Sequence, residues 1–118
     1  ASVGTRAARL PFDAIETDNS TPGLELANLR ARRFAARQHL PALGSSDAHI
    51  LAAIGKSYTA FPGHSAAALR RAIRAGTTRA CTRPYAVPEL LAYLRFWLGY
   101  GGNPRAARAL RGHAGTAR

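Results

Sequence analysis

The chain has no methionine, one cysteine, one tryptophan and only six acidic residues. Its single lysine is Lys56. Each scarcity excludes something. A lone Cys81 leaves no internal disulfide and fits a reducing compartment, so the chain is expected to be cytoplasmic. No His lies within several residues of Cys81, which therefore reads as a small filler side chain. No apolar run reaches the roughly 18–20 residues needed to cross a bilayer. No basic segment followed by an apolar one opens the chain, so no signal peptide is expected. The chain begins Ala1-Ser2, which fits removal of an initiator Met and equally the cut edge of a longer protein.

What is present is apolar and basic. A length of 118 residues suits one domain or part of one, and 47% apolar residues favour a folded chain over a disordered one. Net charge is +11, which suits nucleic acid or another anionic partner. Nearly all of that charge is Arg, and Ala is the commonest residue. An Arg- and Ala-rich, Lys-poor chain is also what a GC-rich genome writes through codon bias. Four of the nine aromatics cluster in residues 93–100, away from the Arg stripes, whereas surfaces that stack bases interleave the two. A small basic nucleic-acid-binding module remains the alternative reading.

Taken in order, residues 1–9 read as an irregular lead-in. Leu10 to Thr17 reads as a buried strand around Phe12, Ala14 and Ile15. Asp18 to Gly23 is a turn cluster, with Thr21 a candidate N-cap. A helix is expected from Pro22 to Gln38, with Leu24, Ala27, Ala31, Phe34 and Ala35 as its apolar stripe. Arg30, Arg33 and Arg37 form a separate solvated stripe. His39 occupies the place where a helix often ends on Gly, and is read as structural. Leu40 to Leu43 is a second strand and residues 50–54 a helical turn. Gly55-Lys56-Ser57 ends like a phosphate-binding loop, but Ile50 stands where that motif needs Gly.

Ser57 to Phe61 alternates like a third strand. Ser65 caps a helix over Ala66 to Ala75 that stops at Gly76, with Leu69, Ala72 and Ile73 inward. Residues 77–82 read as an edge strand. Pro88 opens an apolar helix in which Leu90, Leu91, Leu94, Trp97 and Leu98 fit a buried face. Its surplus apolar surface is expected to meet more of a larger domain, a second subunit or a membrane interface. A last short helix from Asn103 to Leu110 and a disordered tail over 112–118 complete the reading. Short strands alternating with helices predict an α/β fold with parallel strands, and sites in such folds lie at the C-terminal ends of strands.

Two polar clusters occupy such ends: Glu16-Thr17-Asp18-Asn19, and Asp47-Ala48-His49 within the small-residue turn Gly44-Ser45-Ser46-Asp47-Ala48-His49. In an extended chain residues two apart point the same way, so Asp47 and His49 could reach one metal. Carboxylate oxygen with imidazole nitrogen suits Zn, Mn or Fe(II). By itself the pair is weak, because a solvated carboxylate beside a surface imidazole has the same sequence.

The order Asp13-Ala14-Ile15-Glu16, an Arg/Ala-rich helix ending in Leu40-Pro41-Ala42, the Gly44–His49 turn, and Ile54-Gly55-Lys56-Ser57-Tyr58-Thr59-Ala60-Phe61 resembles the C-terminal part of PHP-domain (polymerase and histidinol phosphatase) metal-dependent phosphoesterases. The resemblance covers about residues 10–85, with a weaker one through Arg83-Pro84-Tyr85 and the helix after it. It implies the C-terminal portion of a distorted seven-stranded β/α barrel, with Asp47 and His49 as the last metal-ligand motif. It also implies two or three Zn, Mn or Fe ions in the complete protein, and a phosphorylated small molecule or nucleotide as substrate. The family's His-x-His motif does not occur in this chain, and His39, His64 and His113 match no ligand position. Glu16 matches a common strand-end Glu, with no role carried over. The expectation is therefore a C-terminal part that needs the remaining half of the domain and is inactive in isolation. The expected organisation is a PHP-like β/α part over residues 1–85, a helical extension over 86–111 and a tail over 112–118.

Overall fold

The computed structural model describes residues 10–101, so the expectations for residues 1–9, for a helix at 103–110 and for a tail at 112–118 lie outside the described residues. The elements run β1 (Ile15–Asn19), α1 (Glu25–Gln38), β2 (Ala42–Ser45), a single 3-10 turn (Leu51–Ala53), β3 (Ser57–Ala60), α2 (Ala66–Ala75), β4 (Arg79–Thr82) and α3 (Val87–Gly101). The chain divides into two compact units, with the boundary between Pro84 and Tyr85.

In the first unit β1 and β2 pair in parallel, from Ile15 opposite Ala42 to Asn19 opposite Ser45. Helix α1 makes the crossover and packs on β1. It starts at Glu25, three residues later than Pro22, because Thr21 to Gly23 form a turn and Thr21 is not its cap. Ala35 is its buried residue, while Ala27, expected in the apolar stripe, is exposed. The helix ends as expected on a left-handed His39 (φ 54°), whose backbone N–H reaches the carbonyls of Ala35 and Ala36.

Strand β1 is displaced from its expected place. It runs on through Asp18 and Asn19, which read as a turn, and leaves Phe12 40% exposed. Polar residues extend as strand here because the structure gives them partners: Ser20 N–H donates to Ser45 O at 3.3 Å.

The second pair departs from the expected parallel order. β3 and β4 are antiparallel, with Ser57 opposite Thr82 and Ala60 opposite Arg79. Alternation of strand and helix specifies the elements but not the direction in which a crossover returns. The 18 residues between β3 and β4 are long enough for either direction. Across the observed register the Ser57 and Thr82 hydroxyls lie 2.9 Å apart. Between them, α2 matches expectation at both ends: Ser65 Oγ accepts from Ala68 N–H at 3.2 Å, and Gly76 closes the helix at φ 67°. Its fully buried residues are Ala68 and Ala72.

The two pairs meet at Gly44. Its N–H donates to Thr59 Oγ1 and its carbonyl accepts from the same hydroxyl, both at 3.0 Å. A β-carbon on Gly44 would lie 2.5 Å from the Tyr58 carbonyl oxygen, so only glycine allows this approach. The described strands form two two-stranded sheets, and no closed barrel wall is present among the described residues. The fold is α/β.

The unit's interior is small and polar. Among the described residues its buried apolar side chains are all alanines, and Thr17, Asp18, Ser20, Ser57 and Thr78 are buried beside them. Leu26, Leu51 and Ile54 are 67–87% exposed.

In the second unit, Tyr93 on α3 is fully buried, with Tyr85 edge-on to its ring at 5.8 Å and Trp97 stacked at 6.4 Å. The expected buried face is not buried: Leu90, Leu91, Leu94, Trp97 and Leu98 are 43–67% exposed. At 100° per residue Leu91, Leu94 and Leu98 lie round the helix from Tyr93, which is the residue that packs. No helix among the described residues is long and apolar enough to cross a membrane.

Candidate functional site

Parallel pairing brings the C-terminal ends of β1 and β2 to one rim, and both polar clusters stand there. Ser20 Oγ donates to Ser46 O at 2.9 Å and fastens the two exits together. Beyond Ser46 the chain turns sharply, with Asp47 in the left-handed region at φ 45°. Asp is one of the few residues with a β-carbon that enters this region readily, because its short polar side chain bonds locally. The expected mechanism for presenting Asp47 and His49 together, an extended strand, is therefore not the one used. β2 ends at Ser45, and the pair sits on a turn past the strand.

That turn is held from β1. Asn19 Nδ2 and Thr21 Oγ1 each donate to Asp47 Oδ2 at 3.3 Å. Asn19 Oδ1 accepts from Thr21 N–H at 2.9 Å. His49 Nδ1 lies 2.8 Å from the Asp47 carbonyl oxygen. A carbonyl only accepts, so Nδ1 carries the hydrogen, and in the neutral ring Nε2 carries the lone pair. Asp47 and His49 are both exposed.

One residue before Asn19, the chain turns a second carboxylate inward. Asp18 is 4% exposed and forms a two-pronged ion pair with Arg32 of α1: Nε to Oδ2 at 3.2 Å, and Nη2 to Oδ1. Thr17 Oγ1 donates to Oδ2 at 2.8 Å and Thr82 Oγ1 to Oδ1 at 3.3 Å. The Arg32 guanidinium holds the Asp18 carboxyl below the usual carboxylate range, against the desolvation that burial imposes. Asp18 thus joins β1, α1 and β4 at one buried point and is fully occupied in doing so.

Sequence reasoning located the Asp47/His49 turn and the shared rim. It missed Asp18, Arg32, Asn19 and Thr21 as a connected set. The available signal was one Asp at a strand end followed, fourteen residues on, by an Arg lying off the solvated stripe of α1. Lys56, in the segment that ends like a phosphate-binding loop, donates to the Pro84 carbonyl at 3.1 Å. Glu16 is exposed on β1. Among the described residues no cluster of three or more His, Cys, Asp or Glu could hold a metal. Asp47 and His49 have donor chemistry that suits a divalent cation, and two ligands alone leave a site open.

Residues 25–78 match the model of a family described as PHP-associated. The matched segment runs from the start of α1 to the threshold of β4 and includes the Asp47/His49 turn. No curated protein and no solved structure matches the chain. The match over residues 25–78 is consistent with the C-terminal part of a PHP domain.

Proposed function

We propose that the chain is the C-terminal part of a PHP-type metal-dependent phosphoester hydrolase, with Asp47 and His49 as two of its metal ligands. The observation that carries this reading is the placement of the pair: exposed, on the rim where two parallel strands end, inside the PHP-associated segment. The donors fit. A carboxylate held by neighbouring side chains and an imidazole whose tautomer puts the lone pair on Nε2 suit Zn, Mn or Fe. A metal bound there would lower the pKa of a coordinated water and polarise the oxygens of a phosphoryl group. The chain's own part is to fix one carboxylate and one imidazole at the strand ends and to keep Asp18 neutralised behind them through Arg32. The substrate class is a phosphorylated small molecule or a nucleotide.

The remaining ligands would come from the rest of a distorted seven-stranded β/α barrel, of which β1, β2 and their helices are one edge. The alanine-lined interior and the exposed Leu26, Leu51 and Ile54 support a unit that covers more apolar surface in a larger domain. In the complete protein, Asp47→Ala and His49→Ala should each abolish Mn- or Zn-dependent phosphomonoester hydrolysis. Undiminished turnover in both variants would exclude the proposal. The 118-residue chain should bind Mn²⁺ only weakly and turn nothing over, since two ligands leave a site open. Tight stoichiometric binding by calorimetry would contradict the incomplete ligand set.

A further inference from the structure

We infer that Asn19 and Thr21 are positioning residues for Asp47, clamping one of its carboxylate oxygens so that the other is presented to a cation. The inference rests on the reading of Asp47 as a metal ligand and goes beyond the ligand pair.

Both bonds to the Asp47 carboxylate fall on Oδ2. Among the described residues no donor falls on Oδ1. The donors are themselves oriented. Asn19 Oδ1 takes the Thr21 N–H, which fixes the amide so that Nδ2 faces Asp47. The Asn19 backbone is in turn gripped from α1: Asn28 Oδ1 accepts from Asn19 N–H at 3.1 Å and Asn28 Nδ2 donates to Asn19 O at 2.7 Å. Orientation passes from a helix to a strand end to a turn residue. This turn residue has a left-handed backbone. The donors are an amide and a hydroxyl, both neutral, so they orient the carboxylate without cancelling the charge a cation needs. Partners of this kind typically change metal affinity about 10–100-fold when removed.

Among the described residues the Asn19 side chain bonds only to Thr21 N–H and Asp47, so Asn19→Ala leaves the Asn28 clasp on the backbone intact. Thr21→Val keeps the shape and removes the hydroxyl. The test uses the full 118-residue chain, labelled for NMR, with Mn²⁺ as the probe. In the metal-free Asn19→Ala/Thr21→Val variant, the amides of residues 46–49 should lose order while the thermal midpoint stays near that of the parent. Line broadening at residues 47 and 49 should then need about tenfold more Mn²⁺. Thr21→Ser, which keeps the hydroxyl, should behave like the parent chain. Unchanged order at 46–49, or unchanged Mn²⁺ demand in a folded double variant, would overturn the inference. If the turn loosens while Mn²⁺ broadens nothing near Asp47 in the parent chain, the clamp stands and the metal reading of Asp47 falls.

Discussion

Asp18 shows how one side chain is committed before the site is reached. Its carboxylate takes two bonds from Arg32 and one each from Thr17 and Thr82. Arg32 is the largest cause of its lowered pKa. Because the folded value lies below the unfolded one of about 3.9, the charged form is the stabilising form. Its contribution is complete above about pH 4 and disappears as pH falls through the folded value. Arg32 is 57% exposed, so solvent screening tempers the pair. Asp18→Asn should cost about 1–2 kcal/mol at neutral pH. Urea midpoints of parent and variant should converge as pH is lowered from 6 towards 3. A gap that stays constant with pH would show that shape, not charge, is what Asp18 supplies. The spacing to Arg32 was the one local trace of this, since burial and pairing are decided by α1 and β4. Asp47 and His49 were readable as a pair, but the left-handed backbone at Asp47 was not, because Asp adopts either conformation with little local signal.

Elements were legible where the local chemistry was complete. Ser65 at one end and Gly76 at the other bound α2, and both act as their types predict. His39 likewise ends α1. Element boundaries failed where partners from elsewhere overrode composition, as when Ser45 and Ser46 drew Ser20 and the end of β1 into register. Strand direction failed too, for nothing within β3 or β4 states which way the chain returns. The seam between the sheets is a further product of folding that one residue type betrays. At Gly44 even a methyl group meets the Tyr58 backbone, which cannot swing aside as a side chain could. Gly44→Ala should therefore destabilise by about 1–3 kcal/mol, with helical circular dichroism retained below the earlier urea midpoint. An unchanged midpoint would mean that β2 and β3 part without cost. In α3, the apolar stripe was correctly read as apolar but wrongly as buried, because a helix sequence gives its faces and not their neighbours.

At the scale of the whole molecule, charge dominates. A net +11 with only six acids leads us to expect salt-sensitive adhesion to polyanions. Arg30, Arg33 and Arg37 on α1 and Arg70, Arg71 and Arg74 on α2 are exposed. Retention on heparin or mixed-sequence DNA should fall steeply with salt and show no preference among sequences. A preference for one sequence would favour the nucleic-acid-binding alternative instead, and salt-independent or absent binding would remove it. The molecule is also long-range in its wiring. Thr82 and Asp18 are 64 positions apart, and closing so wide a loop comes late in folding. On a ribosome adding about 5–20 residues per second, that interval lasts roughly 3–13 seconds. Through it, β1 exists without β4. Arg32 leaves the ribosome first, so the nascent chain can neutralise the Asp18 carboxylate before the last strand arrives to bury it.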